Sequence, residues 1–192
     1  MRGGRLRTLP DYLRPGLDLV FVGINPGTLS ARLGHYYARP GNLFWWALHA
    51  SGLVSQPLTP TDDRRLPEFG IGLTDVVKRP SDGAADIEPR EFRTGARALV
   101  RRLTAVRPRL VCFNGLTGYR HGFDRWARPG LQPVTLAGAR VFVVPSTSRR
   151  NAAYGREAVL RWFTELRRVR DRSRAEPRRR PASGRPRARP DQ

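Results

Sequence analysis

An asparagine at the end of a buried strand is the side chain of this sequence best placed to do chemistry. The apolar run Leu17-Asp18-Leu19-Val20-Phe21-Val22 reads as a strand, and Gly23-Ile24-Asn25-Pro26-Gly27 ends it. In open α/β sheets, ligands bind in the crevice beyond the carboxyl ends of the strands. Asn25 would present an amide there, which both donates and accepts hydrogen bonds. Pro26 removes one N–H and fixes its own φ, while Gly27 lets backbone approach a ligand closely. An ordinary strand-ending turn uses the same residues. A second buried run, Arg109-Leu110-Val111-Cys112-Phe113, ends at Asn114-Gly115, and a third, residues 140–144, runs into Pro145-Ser146-Thr147-Ser148. If these strands are parallel, Asn25 and the Ser/Thr cluster share one sheet edge and flank one cleft. Gly23 and Gly27 do not form G-x-G-x-x-G and no Walker lysine follows, so a nucleotide-binding loop is not indicated.

The elements that must carry these residues follow from apolar spacing. Helical periodicity begins after Gly41-Asn42 (Leu43, Phe44, Trp45, Ala47, Leu48), recurs over 88–106 (Phe92, Ala96, Leu99, Val100, Leu103), and again over 154–169 (Ala158, Val159, Trp162, Phe163, Leu166). Residues 117–126 read as a short helix, and Thr61-Asp62-Asp63 as a helix start. Residues 134–136 and 140–144 read as strands joined by a turn at Ala137-Gly138. Strands alternating with helices predict an α/β sandwich with a largely parallel sheet. Trp45, Trp46, Trp126 and Trp162 fall on predicted helix faces, where core packing is expected. Residues 34–40 form a loop rich in aromatics.

The chain has 192 residues, enough for one domain with a real core plus tails. Its formal net charge of +20 draws polyanions, so nucleic acid is the first partner to consider. No apolar stretch is long enough to span a bilayer, and the N-terminus lacks a secretory pattern, so no membrane partner is expected and, in a bacterium, a cytoplasmic, nucleoid-associated location is. Cys112 alone excludes an internal disulfide and a multi-cysteine metal site. Residues 1–15 read as a basic, loosely ordered arm and residues 16–170 as the folded domain. Residues 171–192 carry eight arginines, four prolines and no large apolar residue, and read as a disordered tail suited to nonspecific phosphate contacts.

Five motifs in order complete the pattern: GINPGT at 23–28, GHYYARPGNLFW at 34–45, GIGLTDVVKRP at 70–80, PRLVCFNG at 108–115 and VPSTSRR at 144–150. Together they resemble the thymine-DNA glycosylase and mismatch-specific uracil-DNA glycosylase family, over about residues 17–166 and closer to the thymine-DNA glycosylase branch. The resemblance implies a uracil-DNA glycosylase-like fold, a three-layer α/β/α sandwich around a mostly parallel central sheet. It implies a monomer, with no metal and no organic cofactor. The implied activity is hydrolysis of the N-glycosidic bond of uracil, or thymine, mispaired in double-stranded DNA. Asn25 matches the family's water-positioning amide, and Thr74 a threonine that helps hold that water. Asp75 stands where the thymine branch tends to carry Asn, and a carboxylate there would supplement Asn25 as a general base. The competing role for Asp75 is a surface aspartate pairing with Lys78 or Arg79.

Gly23, Ile24, Pro26, Gly27, Tyr37 and Asn42 match the substrate pocket, with Tyr37 stacking on the flipped base; Asn42 could equally cap the following helix. Ser146, Thr147, Ser148, Arg149 and Arg150 match the loop that enters the DNA. A catalytically silent DNA-binding module of the same fold is the alternative, and an enzyme of free nucleotides fits the charge poorly.

Overall fold

The computed structural model describes residues 7–149 and 154–176. Five strands form one sheet in the order β2-β1-β3-β5-β4. β1 (Leu19–Gly23), β2 (Ile71–Asp75), β3 (Leu110–Asn114) and β5 (Ala139–Val144) are parallel, and only the edge strand β4 (Gly130–Leu136) runs antiparallel. The three strong apolar runs are continuous rather than alternating because both sheet faces are covered. One face packs Leu19, Phe21, Leu110, Cys112 and Phe142 against α2 (Phe44–Ala50) and α5 (Arg156–Ala175). The other packs Val20, Val22, Val111, Phe113 and Val141 against α3 (Pro89–Val106) and α4 (Leu116–Gly122). This is the three-layer α/β/α arrangement expected from the sequence.

α3 starts where Pro89 sits in its first turn and the Glu88 N–H donates to the Glu91 carboxylate at 3.0 Å. α2 starts where the Phe44 N–H donates to Asn42 Oδ1 at 3.0 Å. The short helix α1 (Thr28–Leu33), directly after the Asn-Pro-Gly break, has no counterpart in the sequence reading, and the helix expected to start at Thr61-Asp62-Asp63 is a 3-10 segment over Pro60–Phe69.

Both predicted tails lose residues to the folded domain. Residues 7–15 do not form a loose arm. Tyr12 exchanges backbone hydrogen bonds with Leu73 at 2.9 and 3.1 Å, closing the open edge of β2, and Leu9 is buried. Asp11 then accepts from Thr74, Lys78 and Arg102 at 2.6–3.1 Å. Burial pushes the Asp11 carboxyl upward, but these three partners outweigh it and hold it below the usual aspartate value. At the other end α5 continues to Ala175. Arg174 pairs with Asp18 at 2.7 Å, and the buried Arg170 donates to the Leu53 carbonyl at 2.9 Å. Arg150 and residues 177–192 lie outside the described residues.

Candidate active site

The carboxyl ends of β1, β2, β3 and β5 open onto a cleft of about 250 Å³. Its walls include Gly23, Ile24, Asn25, Pro26, Gly27, Tyr37, Asn42, Asp75, Ser146, Thr147 and Ser148. These residues come from four separate motifs and are gathered at one edge because the strands that precede them are parallel and in register. Gly23 pairs with Asp75, and the pairing runs on past the sheet: Val76 N–H to Gly23 O, Val77 N–H to Ile24 O, and Ser81 N–H to Pro26 O, at 2.8–3.1 Å.

That continued pairing fixes Asn25. Its Nδ2 donates to the Arg79 carbonyl at 3.0 Å, to Ser81 Oγ at 2.9 Å and to its neighbour's carbonyl at 3.2 Å. Carbonyl oxygens only accept, so the amide nitrogen must face them and Oδ1 points the other way. The Ser81 hydroxyl spends its own proton on the Gly83 carbonyl at 2.8 Å, which leaves its oxygen to receive Asn25. Ser81 was not singled out in the sequence. The signal that would have found it is the pairing of the 76–81 segment with 23–26, which periodicity does not reveal.

Thr74 is the sequence-predicted catalytic residue that the structure places elsewhere. Strand alternation sends neighbours to opposite sheet faces. Asp75 faces the cleft, so Thr74 faces α3, where its hydroxyl donates to Asp11 and accepts from Arg102, both at 2.6 Å. The hydroxyl beside Asn25 is that of Ser81.

Asp75 is no surface aspartate: it pairs with neither Lys78 nor Arg79, and Arg79 bonds Glu91 instead. It is 3% exposed, and its Oδ2 has no hydrogen-bond partner among the described residues. A Cβ on Gly23 would lie 2.3 Å from Asp75 Oδ1, so only glycine at the end of β1 leaves room for the carboxyl. Burial pushes its pKa up to about 7; Lys78 and Arg102 pull it down and Asp11 pushes it up.

Tyr37 adopts φ of 54°, a conformation uncommon for an aromatic residue, and lines the cleft. Its ring stacks on Phe44 with centroids 3.9 Å apart. Burial, then the Asp75 carboxyl, drives its hydroxyl pKa well above the usual value, so the phenol stays neutral. The preceding Tyr36 N–H donates to Asp63 Oδ2 at 3.0 Å, Tyr36 Oη reaches the Pro10 carbonyl, and Trp45 Nε1 bonds the Tyr36 carbonyl. The fully buried Asp63 also receives Tyr12 Oη at 3.1 Å and contacts His35 Nδ1 at 3.3 Å. Asp63→Ala would strand three polar groups at once. A loss of about 3 kcal/mol in chemical denaturation is expected, together with a loosened Tyr37 loop.

The fourth wall is pinned rather than free. Thr147 N–H donates to Asn114 Oδ1 at 3.1 Å and Asn114 Nδ2 returns a bond to Thr147 Oγ1 at 2.9 Å. Thr147 is 1% exposed, so its side chain anchors the loop and is not a surface DNA contact. Asn42 accepts from the Phe44 N–H at the start of α2 while lining the cleft. Arg149 is exposed at the rim, its stem crossing Gly41, whose φ of 75° and missing Cβ permit that approach. Among the described residues no cluster of His, Cys, Asp and Glu could hold a metal ion, and no helix is long and apolar enough to cross a membrane.

Residues 10–167 match the model of the uracil DNA glycosylase superfamily. The chain belongs to that superfamily. A solved relative of the same architecture is a protein of Methanosarcina acetivorans, studied by solution NMR and provisionally named a uracil DNA glycosylase. It is 26% identical, with a TM-score of 0.59, covering 85% of this chain and 98% of that one. The match spans all four cleft walls of this uracil DNA glycosylase superfamily member and stops short of the last turns of α5.

Proposed function

We propose that the protein is a monofunctional DNA glycosylase that removes uracil from mispairs in double-stranded DNA, in the manner of the thymine-DNA and mismatch-specific branch. The observation that carries this reading is the orientation of Asn25: its nitrogen is committed to Arg79 and Ser81, which leaves Oδ1 as an acceptor in a cleft whose lining also includes Asp75. Two acceptors lining one cleft suit a water, which has two protons to give.

The target nucleotide leaves the duplex and enters the cleft, at a cost of a few kcal/mol that a mispair reduces. The pyrimidine lies against Tyr37, with backbone N–H groups around Ile24 and Tyr37 facing its oxygens as charge develops. The water held by Asn25 Oδ1 attacks C1′. The C1′–N1 bond breaks, its electron pair leaves with the pyrimidine, and the sugar passes through an oxocarbenium-like state. Asp75 takes the proton that the water gives up. Ser81 acts through Asn25 and is a positioning residue. Ser146, Ser148, Arg149 and Arg150 contact the DNA, where phosphate bonds set register without reading sequence.

Alkali-induced scission of labelled duplexes carrying G·U, G·T and A·U, and of single-stranded uracil, tests this. Faster excision from G·U than from A·U is expected. Equal rates would remove mispair preference, and no scission by folded, duplex-binding protein would overturn the glycosylase reading in favour of a silent binding module.

A further inference from the structure

One tryptophan is left out of both cores. Trp126 was expected on a helix face, but α4 stops at Gly122 and Trp126 falls in the turn before β4, 73% exposed. The Arg125 guanidinium sits 4.3 Å from its ring centroid. A single exposed apolar residue is ordinary; the bracing and the position of this one are not.

The turn is fixed from both sides. The Trp126 N–H donates to Asp124 Oδ1 at 2.9 Å, and the Ala127 N–H to the Asp124 carbonyl at 3.2 Å. Arg120 grips the Ala127 carbonyl through Nε and Nη2 at 2.9 and 2.7 Å. Gln132 Nε2 donates to the carbonyls of Arg128 and Gly130. Asp124, the acid of this turn, thus points a carboxylate oxygen into its own backbone, while Arg125, over the indole, and Arg128, two residues on, are exposed.

The position follows from topology. Gly130 pairs with Val143, one residue before the end of β5. The turn therefore stands at the sheet edge that holds the cleft. β3 and β5 separate β1 from β4; at about 4.8 Å per strand the start of β4, into which the turn leads, lies roughly 15 Å from the end of β1. Along one DNA strand roughly 15 Å corresponds to about four base pairs.

We propose that Arg125, Trp126 and Arg128 form a second DNA contact, in which the indole packs on a sugar or base edge about four pairs from the lesion and the two guanidinium groups hold the adjoining phosphates. The rigid, flat, exposed ring flanked by two cations fits the deoxyribose-phosphate backbone better than a protein surface, which would not require two positive charges beside its aromatic anchor. The contact rests on the glycosylase reading of the cleft, since that reading fixes where the DNA lies.

The test is the affinity of the full chain for a duplex carrying an uncleavable abasic-site analogue, measured over a range of salt. Trp126→Ala is expected to weaken it about tenfold with an unchanged salt slope, and Trp126→Phe to recover most of that loss. Arg125→Ala and Arg128→Ala should each lower the slope of log K against log salt by about one. Duplexes cut back to two pairs on one or the other side of the lesion provide the control. One of the two should erase the difference between wild type and Trp126→Ala. An unchanged affinity in a Trp126→Ala variant with wild-type melting temperature overturns the proposal. So does a Trp126-dependent self-association seen by sedimentation, which would make the turn a protein interface. Wild type that excises uracil while Trp126→Ala binds like wild type sinks this contact alone. Trp126-dependent binding without excision of any base would sink the glycosylase reading and leave Trp126 as a DNA contact with no fixed distance from a lesion.

Discussion

Asn25→Ala is expected to lower the single-turnover rate of uracil excision roughly a hundred- to a thousandfold, with duplex affinity little changed. The expectation follows from what the amide does. It is a poor base, so its value lies in fixing one water against one carbon, and three acceptors on Nδ2 remove its freedom to rotate. Asn25→Asp would repel the three acceptors it now faces and add a second carboxyl to the cleft lined by Asp75, so it should not rescue. Ser81→Ala removes one of the three bonds and should cost less, roughly tenfold. A Ser81→Ala loss as deep as that of Asn25→Ala would mean that Ser81 itself touches the water. An Asn25→Ala enzyme as fast as wild type would remove the amide from the mechanism.

The parallel core was legible because its strands are buried on both faces, and uninterrupted apolar runs such as residues 19–22 and 110–113 leave a strong mark in sequence. β2 was harder to see. Ile71-Gly72-Leu73-Thr74-Asp75 mixes a glycine, a hydroxyl and an acid, because one of its faces carries the Thr74–Asp11–Arg102 cluster and its end carries the cleft. The same alternation explains the fate of the two neighbouring candidates. A motif match carries both Thr74 and Asp75 to the site, but a strand can present only one of them to a given face.

The cleft itself was legible as an edge shared by strand ends, and most of its lining residues are those that the motifs mark. Ser81 was not, because its link to Asn25 depends on a hydrogen-bonded path between two irregular segments 56 residues apart. Nor was the Asp63 cluster, since an acid in a polar connector gives no hint of a buried position. The tail boundaries moved for a plainer reason. Single residues such as Leu9, Tyr12 and Arg174 dock by specific contacts, and composition averages over them.

Asp75→Asn should separate chemistry from stability through pH. The wild-type excision rate is expected to rise as Asp75 ionises, with a midpoint near its value of about 7. The Asn variant lacks the base. It should lose about a hundredfold at pH 8 and show a flat profile, with the two enzymes converging below pH 6. Stability should move the other way. The folded-state value of about 7 lies above the ordinary aspartate value of 3.8, so between those limits the folded protein binds more protons than the unfolded chain. Its stability therefore falls as pH rises through that window and stays lost above it. Between pH 5 and pH 8 the wild type should lose on the order of 2 kcal/mol that the Asn variant keeps. Denaturant melts at the two pH values measure this directly. A variant slower at pH 8 yet more stable there would mark Asp75 as a carboxylate held buried for its chemistry at a cost to the fold. A variant with unchanged rate and a flattened stability profile would remove Asp75 from the reaction and leave its burial to the packing around Gly23 and Tyr37.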